Sequence, residues 1–218
     1  MTTFAVAGNA TTSHPAERAT LRVTVAVTST DRADAGRAAA SAHAAAITEV
    51  RAHEAAGAVT EWSAESVSTG ILREYTPSGE VAPERFRARA GIDAVFADFE
   101  RLAEWVGSLS TREGIEIAGL DWGLTPEVSA RLEREVRIAA VQDALTKSKD
   151  YAAALGLPLP TLEAVFEDGL RPGVGGGGGG GFARDAVALK AAAFDGTVFE
   201  LRPRPIEVRA SISADFRA

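Results

Sequence analysis

Three histidines (His14, His43 and His53) and no cysteine are what this 218-residue chain offers for metal or acid–base chemistry beyond its carboxylates. Without a thiol there is no thiolate nucleophile, disulfide framework, zinc ribbon or iron–sulfur site. His43 and His53 fall on one predicted helix, but ten residues at 100° each leave them about 80° apart. Glu49 and His53, spaced i, i+4, share a face and could serve as metal ligands or as an acid–base pair. No HExxH pattern follows, because His53-Glu54 runs into Ala55, Ala56 and Gly57; an ordinary surface pair explains them as well. No Gly-x-Ser-x-Gly elbow or supported Ser-x-x-Lys occurs. Asp31/Asp34 and Glu133/Glu135 read as a helix cap and a solvated helix face. The sequence therefore predicts no catalytic residue, no metal site and no cofactor.

Two patterns remain. Arg85, Arg87 and Arg89 alternate with apolar residues and, on a strand, project from one sheet face at about 6.6 Å intervals. That stripe is the ligand-binding candidate, suited to an anionic ligand or an acidic partner. The plainer account is a solvated face neutralised by neighbouring acids, for example Glu207. Seven consecutive glycines at 175–181 satisfy G-x-G-x-x-G only trivially. A phosphate loop would end in Gly-Lys-Ser/Thr, whereas Phe182-Ala183-Arg184 follows. Ordering seven such residues would cost on the order of 7–14 kcal/mol, so the run predicts a flexible insertion at about 170–184. Phe182, Val187, Leu189 and Phe194 then favour a docked segment at 183–193.

The elements that must position these residues can be read from periodicity. A short apolar strand at 4–7 ends at Gly8-Asn9. Leu21, Val23, Val25 and Val27 alternate as a half-buried strand. Asp31 caps an alanine-dense helix that Gly57 stops. Residues 59–74 read as one strand, turning through Thr76-Pro77-Ser78-Gly79 into a second from Phe86 to Phe96. Asp98 caps a helix carrying Phe99, Leu102, Ala103 and Val106 on its apolar stripe. A bent strand runs from Ile115 past Gly119 to Leu124. Thr125-Pro126-Glu127 starts a helix that continues to Leu155, the longest in the chain. Its apolar positions Val128, Leu132, Val136, Ala139, Ala140 and Leu145 should be buried, with Arg131, Arg134 and Lys147 in water. Strands at 162–166 and 206–216 complete the order. Trp62, Trp105 and Trp122 are expected as core or interface anchors. The class is α+β: a mixed, largely antiparallel sheet with hairpins, packed on about three helices, in a single domain spanning 1–218.

Composition narrows function by exclusion. A hydrophobic fraction of 46% with 24% charged residues is that of a globular chain. A net charge of −7 disfavours a nucleic-acid partner. No run of 18 apolar residues offers a membrane span, and no signal-peptide pattern opens the sequence, so a cytoplasmic location is expected.

Gly8, then Pro15-Ala-Glu-Arg-Ala19-Thr-Leu21-Arg-Val23-Thr-Val25, resembles the N-terminal "P-x-x-A-x-L-x-V-x-V" pattern of the SIMPL domain family (DUF541). Ala140-Val-Gln-Asp143-Ala144-Leu-Thr-Lys147, running on to Ala152 and Gly156, is similar to that family's long third helix. The likeness covers about 3–168 and 204–217; the glycine-rich arm replaces what is normally a shorter connection. The resemblance implies the α+β fold and supplies no catalytic residues. It implies action through protein contacts, with the chain itself (a homo-oligomer) or another protein as partner, in a stress- or signalling-related setting. The alternative expectation is a small anionic-ligand binder or cryptic enzyme using Arg85, Arg87 and Arg89 or the Glu49/His53 pair.

Overall fold

A computed structural model describes residues 1–73, 83–171, 186–187 (backbone) and 201–218. The expected turn at 76–79, the flexible insertion's glycine run and most of the docked segment at 183–193 lie outside the described residues. The chain forms two compact units, one built from Met1–Ala16, Leu124–Arg184 and Arg204–Ala218, the other from Glu17–Gly123 and Asp185–Pro203. Every described ladder is antiparallel.

The first unit is a three-stranded sheet under one helix. Strand β1 (Thr3–His14) and, later in the chain, β7 (Thr161–Glu167) flank β9 (Ile206–Arg217), in the order β1-β9-β7. The helix α3 (Pro126–Ala154) starts where Thr125 accepts from the Val128 N–H and has proline in its first turn. It is 29 residues long, against 24 for the next longest. Its buried row is Leu132, Val136, Ala140, Ala144, Ser148 and Ala152, a strict four-residue spacing. Val128, Ala139 and Leu145, expected inside, are half-buried. The small side chains of Ala140 and Ala144 bring helix and sheet together over Val6, Ala214 and Phe216.

Strand β1 does not end at Gly8-Asn9. It runs twelve residues, all in register with β9. Gly8 is there because α3 crosses it: an added Cβ would lie 2.8 Å from the Ala144 Cβ and inside the radius of the Ala140 carbonyl oxygen. Glycine thus marks a close approach inside a strand rather than a strand end.

The second unit is a six-stranded sheet with two helices. Its elements are β2 (Arg18–Ser29), α1 (Arg32–Ala55), β3 (Val59–Ala64), β4 (Ser68–Leu72), β5 (Arg85–Phe96), α2 (Phe99–Ser110), β6 (Ile115–Gly123) and β8 (Ala186–Val187). The order is β3-β5-β2-β6-β8, with β4 also on β5. Asp31 and Asp98 cap their helices through side-chain acceptors, and Gly57 ends α1 at φ 76°. The stretch expected as one strand at 59–74 divides into β3 and β4. Between them Glu65 still donates its N–H to Gly91 O at 2.9 Å, while Val67 turns toward Val25 and Ala88. In β6 the register slips by one residue opposite Arg22/Val23, the bend anticipated at Gly119. Leu21, Val23, Ile92 and Phe96 meet Val50 of α1 and Leu102, Trp105, Val106 and Leu109 of α2. Both helices thus lie on one sheet face; Trp105 is buried there, while Trp62 and Trp122 are half-buried against the same cluster.

Candidate functional site

Cross-strand partners share a face, so the register settles where the arginine stripe points. Ala88, Ala90 and Ile92 are buried against the helices, and Arg87, Arg89, Gly91 and Asp93 project from the opposite face of the second unit, which carries no helix among the described residues. The alternation expected of β5 holds throughout. Arg87 is neutralised by Glu116 of β6 at 3.2 Å, an acid from the same sheet. Glu207 lies in the other unit and pairs with Arg209 of its own strand. Arg89 is exposed, and no carboxylate among the described residues pairs with it. Arg22 of β2 pairs with Asp121 of β6. Arg22, Thr24, Ser63, Glu65, Gly91, Asp93 and Ala118 line a depression of about 270 Å³ on this face.

Glu49 and His53 occupy the helix side of the same unit and have structural partners. Trp105 Nε1–H donates to Glu49 Oε2 at 2.8 Å, and the Arg112 guanidinium donates to Oε1 at 2.6 Å. Burial raises the Glu49 pKa, but the hydrogen bonds from Arg112 and Trp105, with the charges of Arg112 and His53, more than offset it, so the carboxyl titrates below its ordinary value. The His53 ring packs edge-on to Phe96 and Trp105, 5.5 and 5.6 Å between centroids. The pair thus ties α1 to α2. His43 is buried, with Nε2 3.4 Å from Gly91 O. His14 is 2.9 Å from the Pro15 carbonyl oxygen. Among the described residues, no group of three or more His, Asp or Glu side chains could hold a metal ion.

The sequence reading missed a polar contact in the first unit. Lys147, expected in water, turns onto β1: its Nζ donates to Ala7 O at 3.2 Å and to Asp143 at 2.6 Å, while Asp143 accepts from the Asn9 N–H at 2.8 Å. Even-numbered residues of β1 bond to β9, beginning with the Thr2–Ala218 pair, so Ala7 O and Asn9 N–H sit on the strand's free edge. Asp143 and Lys147 cap that edge from the helix. The Asp143 carboxyl titrates below its ordinary value because Lys147 and the Asn9 amide both bond to it and Lys147 adds its charge. The signal available in the sequence was the i, i+4 Asp–Lys spacing inside the helix motif, which by itself reads as a surface ion pair.

At the other end of that sheet's strand order, Leu162 pairs with Phe216 and Val165 with Ala214, which puts both on the helix-facing side. Yet they are 41% and 43% exposed. Among the described residues, the helix packs on β1 and β9 and leaves this side of β7 uncovered. Leu155 and Leu159, at the end of α3 and in the following loop, are also exposed.

The SIMPL family model, a protein family of unknown function (DUF541), matches residues 4–216. The chain belongs to the SIMPL family. The match runs from β1 to β9 and so takes in both units. Asp143, Ala144 and Lys147, the heart of the long-helix motif, are the residues that fasten α3 to β1. No curated protein matches the chain. No helix among the described residues is long and apolar enough to cross a membrane.

Proposed function

We propose that this SIMPL protein is non-enzymatic and works through protein–protein contacts, chiefly with further copies of itself. The observation that carries this reading is the uncovered side of β7. Leu162 and Val165 point to the side where α3 buries the neighbouring strand, and among the described residues β7 is an edge strand of its sheet. An apolar strip beside an open edge is a surface that another chain can cover. Full burial of a leucine or valine contributes roughly 1.5–3 kcal/mol, so two half-exposed ones supply enough to shift a weak equilibrium tenfold or more.

Size-exclusion chromatography with light scattering over a concentration series tests it. The expected result is a species above 22.7 kDa whose share rises with concentration. Leu162→Lys with Val165→Lys should weaken association at least tenfold, with the helical signal unchanged. A clean monomer throughout, or variants that assemble as the parent does, would sink this reading of the strip.

A further inference from the structure

On the face of the second unit opposite its helices most charges are paired within the sheet: Arg87 with Glu116, Arg22 with Asp121. Arg89, Glu65 and Asp93 have no ionic partner among the described residues, and all three are exposed. Arg89 and Asp93 flank Gly91 symmetrically on β5, two residues to either side. They are four strand steps apart, about 13 Å. Glu65 lies flat across Gly91, so close that a Cβ there would be 2.9 Å from its Oε2. Thr24, Ser63, Gly91 and Ala118 line the depression together with both unpaired carboxylates and with Arg22, which is paired to Asp121. The face thus carries a lone cation beside a recess holding two lone acids.

We propose that this face is a two-fold contact with a second copy of the chain, each Arg89 seating beside Asp93 and Glu65 in the other's depression. Charge complementarity under symmetry favours this contact. A two-fold axis lying in the interface plane, perpendicular to β5 at Gly91, stacks the two β5 strands antiparallel. Positions two before Gly91 then lie over positions two after it, so Arg89 of each copy meets the partner's Asp93, twice over. The depression gives the arginine side chain room. The inference rests on the self-association proposed above and assigns it a second surface, distinct from β7. Two separate self-complementary surfaces lead beyond a dimer.

The test is sedimentation velocity on the full chain at low and high salt, comparing Arg89→Glu, Asp93→Arg and the double exchange. Each single reversal should raise the dissociation constant of this contact at least tenfold, because like charges then face each other. The double exchange should restore it to within about fivefold. Far-UV circular dichroism checks the fold of each variant, and Arg89→Gln is a milder substitute if a reversal unfolds. Reversals without effect, or a double exchange that folds but fails to restore assembly, would overturn this face while leaving self-association through β7 standing. A wild type that stays at 22.7 kDa at every concentration removes both proposals. A melting temperature raised by free arginine or spermidine in a monomeric wild type, and not in Asp93→Arg, would make a small cation the occupant and overturn the second copy.

Discussion

Gly8 is the position where one added carbon does most harm. The Ala140 carbonyl and the Ala144 methyl already occupy the space a side chain would need, and neither is the mobile tip of a flexible side chain. Gly8→Val should therefore push α3 off β1 and cost about 3 kcal/mol, Gly8→Ala about 2, the upper range for overpacking. The check is a urea midpoint at unchanged slope; a valine variant as stable as the parent would mean that helix and strand can part without penalty. Asp143 makes a pH-dependent contribution nearby. Its folded-state pKa lies below the ordinary value, through the Lys147 and Asn9 hydrogen bonds and the charge of Lys147. Its stabilisation is thus present above the unfolded pKa, about 4, and is lost as pH falls through the folded value. Asp143→Asn should differ most from wild type near neutrality, and the gap should close progressively as pH falls below about 4. Parallel stability curves across that range would show that the carboxylate does not hold the edge.

At the scale of elements, Glu49 joins two helices that otherwise meet through apolar contacts. Glu49→Ala leaves the Trp105 indole N–H and the Arg112 guanidinium without their acceptor. The expected loss is about 1–2 kcal/mol, moderated by partial exposure, with altered Trp105 emission; Glu49→Gln should cost less. Emission and stability both unchanged would mean α1 and α2 need no polar tie. The sequence disclosed these helices well. Asp31, Asp98 and Thr125 cap where expected, and Gly57 and Gly156 end their helices at φ 76° and 67°, because caps are local chemistry written in adjacent residues. It disclosed β5 as well, whose alternation faces a continuous core on one side. Strand β1 was only half legible. Gly8-Asn9 has the look of a break, and the polar run to His14 carries no apolar alternation, because its partners come from the far end of the chain and from a helix of alanines. The Asp143–Lys147 clamp was hidden for a similar reason: what it holds is backbone, and backbone has no signature in sequence.

The whole molecule divides its reporters unequally. All three tryptophans lie between Glu17 and Gly123, in the unit that one continuous stretch almost completes. The other unit is stitched from three separated segments, and the last of them supplies β9, the middle strand on which both β1 and β7 depend. Removing residues 206–218 should therefore leave β1 and β7 without a partner and α3 without Ile212, Ala214 and Phe216 to pack on. The core of Leu21, Ile92, Phe96 and Trp105 contains none of the deleted residues. A chain ending at 205 should keep native tryptophan emission and the cooperative melt it reports. Its helical ellipticity should fall by somewhat under half, since 29-residue α3 is lost while α1 and α2 remain. Tryptophan emission shifted to that of the urea-unfolded protein would show that the two units fold only together, with β9 as essential to the six-stranded sheet as to its own.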